Sequence, residues 1–173
     1  MSFLDKIKPR IAQLPTGYNL KQPLMYISTW FGSGLLRPAP GTMGSIAALP
    51  FGIALQYIGG ITALGIGIVI VFIVGVKAAN GYETASGEKD SKSIVIDEVA
   101  GMWIAGIPAA TNIYLWLFAF ILFRIFDAWK PWPISKIDRE VKGGFGVMLD
   151  DVVAGFIAMC GVASLSITFL GVL

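Results

Sequence analysis

Five carboxylates lie at the borders of long apolar stretches, where an ionisable side chain is costly. Acids gathered in apolar surroundings repel one another unless they bind a cation, form ion pairs or take up protons. The chain has no histidine, and its single cysteine, Cys160, lies in an apolar stretch, so the candidate donors are oxygen atoms. Oxygen donors suit a hard cation, and Mg²⁺ with several water ligands is the first candidate. The five acids are Asp97, Glu98, Asp127, Asp150 and Asp151.

Two of these acids open related stretches, residues 97–101 (DEVAG) and 151–155 (DVVAG). Each stretch places a glycine four residues after an aspartate, which is one helical turn deeper on the same face. A glycine there lets a neighbouring helix approach closely, so two such helices would bring their acids together. The alternative is that each acid only marks a helix boundary. Asp127 argues against it, since an acid at a helix C-terminus opposes the dipole.

Basic and small polar residues accompany the acids. Arg124 lies three residues before Asp127, and Lys130 lies three residues after it. Arg124 suits an ion pair with Asp127 as well as it suits a substrate contact. Residues 40–45 (PGTMGS) lead into an apolar run, where Thr42 or Ser45 could cap a helix or bind an oxyanion.

The composition indicates which elements must position these side chains. Apolar residues make up 55% of the 173-residue chain and charged residues only 14%, against about 25% charged in soluble domains. A net charge of +2 does not suggest a nucleic-acid-binding protein, and the apolar content excludes disorder. The sequence therefore predicts an integral membrane protein and a single membrane domain over residues 1–173.

Gaps between the charged residues predict an all-α, polytopic helical bundle. No charged residue occurs between Arg37 and Lys77, between Glu98 and Arg124, or after Asp151. Breaks at Gly59-Gly60 and Thr111-Asn112 divide the first two gaps. Four tryptophans near the span ends, Trp103, Trp116, Trp129 and Trp132, are interpreted as interfacial anchors. The five predicted transmembrane spans are Met43–Ile58, Ile61–Val76, Ile94–Ala109, Ile113–Phe126 and Val152–Leu173.

Five spans place every charged residue on one side of the membrane, together with the Lys77–Ser93 and Asp127–Leu149 loops. The positive-inside rule makes that side cytoplasmic. Residues 1–40 are predicted to be an interfacial N-terminal segment, and residues 41–173 the transmembrane bundle. Apolar residues at helical spacing from Phe3 to Leu14 favour an amphipathic surface helix, with a solvated tail as the alternative. Leu24–Leu36 is too short to span and is either re-entrant or interfacial.

In these features the sequence resembles the phosphatidylglycerophosphatase A family. The matching segments follow one another from residue 31 to residue 155, so the resemblance covers most of the chain. They are Phe31-Gly32-Ser33-Gly34, residues 40–45, Ile96-Asp97-Glu98 with Gly101-Met102-Trp103, Phe123-Arg124-Ile125 with Asp127, residues 129–134 (WKPWPI), Asp138-Arg139, Gly143-Gly144, and Asp150-Asp151 with Ala154-Gly155.

The resemblance implies a Mg²⁺-dependent enzyme of the bacterial inner membrane that converts phosphatidylglycerophosphate to phosphatidylglycerol, with its active site facing the cytoplasm. All five acids are then both catalytic residues and metal ligands, for one or two Mg²⁺ ions, and metal-activated water attacks the phosphate. Glu98 is one candidate for the base. The predicted phosphate-binding residues are Arg37, Thr42, Ser45, Arg124 and Lys130. The predicted partners are the phospholipid substrate and the bilayer, without nucleic acid; the oligomeric state is left open.

Two other classes use similar residues. A divalent-cation transporter or channel could use the same acids as an ion pathway. The uncharged opposite halves of all five spans disfavour a route through the membrane. A phosphatidyl-alcohol transferase would need an Asp-Gly…Ala-Arg signature, which is missing.

Overall fold

The computed structural model describes residues 10–12, 23–87 and 91–170, and over these residues the protein is predominantly helical. The all-α prediction needs one correction, because Arg10–Ile11 (β1) pairs antiparallel with Leu36–Arg37 (β2). The amphipathic helix predicted from Phe3 to Leu14 is wrong at Arg10–Ile11, because these residues form β1. Apart from residues 10–12, that predicted helix lies outside the described residues.

Six α-helices follow one another through the described residues. Short 3₁₀ segments at Ser33–Leu35 and Ile107–Ala109 connect some of them, and a π-helical turn, Ser166–Leu170, follows the last. The helices are α1 (Pro23–Ser28), α2 (Pro40–Ser86), α3 (Ile96–Ala105), α4 (Ile113–Trp129), α5 (Ile134–Glu140) and α6 (Gly143–Leu165).

The chain reverses direction inside α2, at the glycine pair that predicts a turn. Gly59 and Gly60 leave helical geometry, and Gly60 has φ 59° and ψ −151°, a region open mainly to glycine. Leu55 before this break lies against Gly67 after it, so residues 40–58 and 61–86 pack side by side. The second predicted break is also present, because the Asn112 side chain caps α4 by accepting from the N–H groups of Tyr114 and Leu115.

Two predicted loop regions are partly helical. The second half of α2 continues past Lys77 to Ser86 and ends at Gly87, whose φ of 69° is left-handed. Helix α6 begins at Gly143, well before the predicted span start near Val152. The two extensions support each other, because the Asn80 side-chain oxygen accepts from the Gly144 N–H at 2.7 Å. Asp150 and Asp151 therefore lie inside α6, and the prediction that they mark the border of the last span, just before Val152, is wrong.

The core lies between α3 and α6, with α2 and α4 packed around them. Trp103 and Trp116 are buried in this core, so their assignment as interfacial anchors is wrong. The Trp103 indole N–H donates to the Ala48 carbonyl at 2.9 Å, which joins α3 to α2. Trp129 and Trp132 are largely exposed, as an anchor requires.

Within the part of the chain that the structure describes, two helical stretches are long and apolar enough to cross a membrane: Pro40–Ser86, which reverses at Gly59-Gly60, and Gly143–Thr168. Large apolar side chains on the outer faces of α2 and α4 are exposed, among them Ile58, Ile70 and Ile121. Helix α3, with 10 residues, rises roughly 15 Å, about half the thickness of a bilayer core. The two long helices fit a membrane protein, and the number of spans stays a prediction.

Candidate active site

Three of the predicted acids meet at one point. Asp97 and Glu98 are in the first turn of α3, and Asp151 comes from α6. One carboxylate oxygen from each lies within 4.8 Å of the other two. The convergence predicted from the two five-residue repeats is confirmed, because α3 and α6 touch through Gly101 and Gly155, one turn beyond Asp97 and Asp151.

Two oxygens of this carboxylate cluster are buried without a hydrogen-bond partner among the described residues. They are Oε2 of Glu98 and Oδ2 of Asp151. Burying an unpaired carboxylate oxygen is costly, and native structures rarely leave one unsatisfied. A hard cation is the ligand that would satisfy both atoms, since the cluster offers only oxygen donors. The residues therefore fit a divalent metal ion.

Arg124 on α4 joins the carboxylate cluster to its neighbours. Its Nη1 lies 2.7 Å from Asp127 Oδ2 and 3.9 Å from Glu98 Oε1. The same nitrogen lies 3.4 Å from the Ser45 hydroxyl oxygen. Asp127 is close enough for its charge to act on both Glu98 and Asp151. Arg124 thus offsets part of the negative charge around the cluster while its guanidinium stays partly exposed.

Lys130 forms a second ionic group with two acids. It ends α4 in a left-handed conformation, with φ 46° and ψ 56°. Its Nζ lies 2.6 Å from Asp138 Oδ1 and 2.8 Å from Asp150 Oδ2. Burial lowers the pKa of Lys130, but the hydrogen bonds to Asp138 and Asp150 outweigh it and raise that pKa above its ordinary value. Lys130 is therefore a fixed positive charge at neutral pH.

Both ionic groups line one open cavity of about 930 Å³. Its wall holds acids and bases together with backbone from the start of α2 and the start of α6. A cavity of this size accommodates a small ligand or a lipid headgroup. The charged residues of its wall are Glu83, Lys92, Asp97, Glu98, Arg124, Asp127, Lys130, Asp138, Lys142, Asp150 and Asp151.

The predicted phosphate-binding residues divide into two sets. Thr42, Arg124 and Lys130 line the cavity. Ser45 is buried behind Arg124 and donates its hydroxyl hydrogen to the Gly41 carbonyl at 2.9 Å. Arg37 donates to the Ser93 hydroxyl at 3.2 Å and is not part of the cavity wall.

Two of the cavity residues absent from the predicted set, Asp138 and Gly41, lie directly against predicted site residues. Asp138 contacts Lys130, and its place in the segment Asp138-Arg139 was the available signal. Gly41 lies so close to Glu98 that an added Cβ would overlap Oε1 of that carboxylate. No local pattern shows such a contact, because it depends on how α2 packs against α3.

The fold and the site define a helical protein with an apolar outer surface and a carboxylate-lined polar cavity. A family model for phosphatidylglycerophosphatase A matches residues 26–166. The phosphatidylglycerophosphatase A of Escherichia coli K12 is 41% identical over 142 residues, 80% of this chain and 81% of that protein. The protein of the same name from Haemophilus influenzae Rd is 37% identical over 144 residues, 82% of this chain and 87% of its own.

A third relative carries a different name. A Bacteroides thetaiotaomicron protein named "Putative phosphatidylinositol-3-phosphatase" is 41% identical over 136 residues, 75% of this chain and 84% of that protein. No solved structure matches the chain. The chain belongs to the phosphatidylglycerophosphatase A family, and it is accordingly an enzyme, a phosphoric monoester hydrolase.

Proposed function

We propose that the protein removes the terminal phosphate of phosphatidylglycerophosphate and yields phosphatidylglycerol. The observation that carries the proposal is the meeting of Asp97, Glu98 and Asp151 in a cavity that also holds Arg124 and Lys130. Family membership supports the same reaction, since two relatives are named for it. All three acids, with Asp127 and Asp150, were predicted from the sequence as one site.

Mg²⁺ is the proposed cofactor, and Asp97, Glu98 and Asp151 are its proposed ligands. The set matches the hard-oxygen preference of this ion, and the two unpartnered oxygens support it. When bound, Mg²⁺ would supply positive charge to phosphoryl oxygens and acidify a water molecule. Asp127 and Asp150 already have cationic partners, so their proposed role is to hold Arg124 and Lys130 at the cavity wall.

The chain's own residues have the following proposed roles. Arg124 and Lys130 offset the charge that develops on the phosphoryl oxygens. A carboxylate of the cluster, with Glu98 the first candidate, accepts a proton from the attacking water. The water oxygen forms a bond to phosphorus as the phosphorus–glycerol oxygen bond breaks, and the glycerol oxygen takes up a proton. Thr42, at the start of α2, lines the cavity, and its proposed role is to donate a hydrogen bond to the phosphate.

The proposed location is the bacterial cytoplasmic membrane, with the cavity open to the cytoplasm. Charge placement supports it, because the lysines and arginines fall into one side of a five-span arrangement. A substrate anchored in the inner leaflet would then present its phosphate at the level of the carboxylate cluster. Residues 1–173 would form one membrane domain, with residues 1–40 at the interface and residues 41–173 as the bundle.

Phosphate release by the purified protein tests this function. In detergent micelles with Mg²⁺, phosphatidylglycerophosphate should yield phosphatidylglycerol and inorganic phosphate, and a chelator should stop the reaction. Phosphatidylinositol 3-phosphate is the comparison substrate, because one relative is named for it. Faster release from that lipid would overturn the proposed substrate. Cation transport is not favoured. Mg²⁺ flux into vesicles that contain the protein, with no phosphatase activity, would be needed to support it.

A further inference from the structure

Lys130 joins two acids that come from different helices and whose charges would otherwise repel each other. Asp150 is on α6, beside Asp151 of the carboxylate cluster, and is buried. Asp138 is on α5, the short helix between α4 and α6, and its side chain is about one-third exposed. The Lys130 ammonium lies between their carboxylate oxygens, at 2.6 and 2.8 Å.

We infer that Asp138 is a positioning residue, which fixes the Lys130 ammonium against Asp150 at the cavity wall so that it meets the substrate phosphate. This inference rests on the proposed function, because it assigns Asp138 to the same reaction. A lysine has a flexible four-carbon stem, and one ionic contact leaves it much conformational freedom. Two short contacts from different helices remove that freedom before the substrate arrives, which is how preorganised charges contribute to catalysis.

The backbone around these residues supports a positioning role. Lys130 is held in a left-handed conformation that non-glycine residues seldom adopt, and its N–H donates to the Phe126 carbonyl. The Lys142 ammonium donates to the Asp138 carbonyl oxygen at 3.3 Å, which ties the end of α5 to the start of α6. The Asp138 side chain is directed to Lys130, and both residues line the cavity.

A double-mutant cycle separates positioning from a general structural role. Asp138→Asn should lower kcat about tenfold, the effect of losing one charge-assisted hydrogen bond. Lys130→Gln should lower kcat further, and adding Asp138→Asn to it should change nothing more, because the two residues act through one group. Asp138→Glu should restore activity to within about threefold of wild type. Glu140→Gln is the matched control, since Glu140 is exposed on the same helix and is not part of the cavity wall.

The chemical reactivity of Lys130 provides a readout that does not depend on activity. A limiting amount of an amine-reactive acylating reagent, followed by peptide mass spectrometry, should label Lys130 slowly in wild type and in Glu140→Gln. The label should increase severalfold in Asp138→Asn. If wild type releases no phosphate but this increase occurs, the proposed function is wrong, while the positioning of Lys130 by Asp138 is supported. If wild type is active and Asp138→Asn either keeps full kcat or multiplies the loss of Lys130→Gln, the inference is overturned.

Discussion

The carbonyl oxygen of Gly101 lies 2.5 Å from the position that a Cβ on Gly155 would occupy. Helices α3 and α6 therefore meet backbone to backbone, one turn beyond Asp97 and Asp151. This contact sets the separation of the acids, because each acid lies four residues before its glycine on the same helix face.

Replacing Gly155 by alanine should push α3 and α6 apart. We expect a loss of about 1–3 kcal/mol in the free energy of unfolding, as for other overpacked sites, and a fall in phosphatase activity. Thermal unfolding in detergent measures the first effect and phosphate release the second. Gly65→Ala is the control, because nothing lies within 4 Å of an added Cβ there. Equal behaviour of the two variants would show that close approach of the helices is not required.

Replacing Asp151 by asparagine should have opposite effects on stability and on activity. Asp151 is buried beside two other carboxylates, so removing its charge relieves repulsion. The metal-free protein should be more stable by about 1 kcal/mol, while phosphate release falls on the order of a hundredfold or more. Asp97→Asn should behave in the same way. Retained activity in either variant would exclude that residue as a required ligand.

Replacing Gly41 by alanine should displace the Glu98 carboxylate without changing that residue itself. The new Cβ would overlap Oε1 of Glu98 and lie 3.2 Å from Nη1 of Arg124. Because the carboxylate has to move, we expect Mg²⁺ affinity to fall about tenfold, the effect of disturbing a ligand's support. Calorimetric titration with Mg²⁺ measures this change. An unchanged affinity would mean that Glu98 is not a ligand.

Replacing Arg124 by lysine keeps the charge but removes the planar fork. Arg124 reaches Asp127, Glu98 and Ser45 through one nitrogen and still borders the cavity. A lysine has a single nitrogen on a flexible stem, so it cannot hold these contacts and also donate to a phosphate, and we expect kcat/KM to fall about tenfold to a hundredfold. Arg139→Lys, on an exposed residue of α5, should leave the rate unchanged. Full activity in Arg124→Lys would mean that charge alone suffices there.

Much of the helix pattern was predictable because the breaks and ends of the helices depend on local sequence. Gly59-Gly60 and Asn112 act through backbone geometry and capping, which depend on neighbours in sequence. The meeting of Asp97 with Asp151 was predictable for a similar reason, since the same glycine spacing recurs on both helices. All three acids of the carboxylate cluster were also predictable, because a charged residue type is easily recognised within apolar sequence.

The remaining features depend on packing between distant segments. Helix α6 begins at Gly143 because Asn80, more than sixty positions earlier, accepts from the Gly144 N–H. Trp116 is buried because Gly52 and Gly106 leave room for its ring. Asp138 and Arg37 follow the same rule, since only the fold decides which basic or hydroxyl group each one meets. No periodicity in the sequence carries that information.

Metal stoichiometry is the sharpest test of whether Asp97, Glu98 and Asp151 together hold one hard divalent ion. Mn²⁺, whose bound and free forms are distinguished by electron paramagnetic resonance, serves as the spectroscopic substitute for Mg²⁺. We expect one Mn²⁺ per wild-type chain, displaced by Mg²⁺, and none in the Asp97→Asn/Asp151→Asn double variant. Equal Mn²⁺ binding by both proteins, or none by an active wild-type protein, would contradict this expectation.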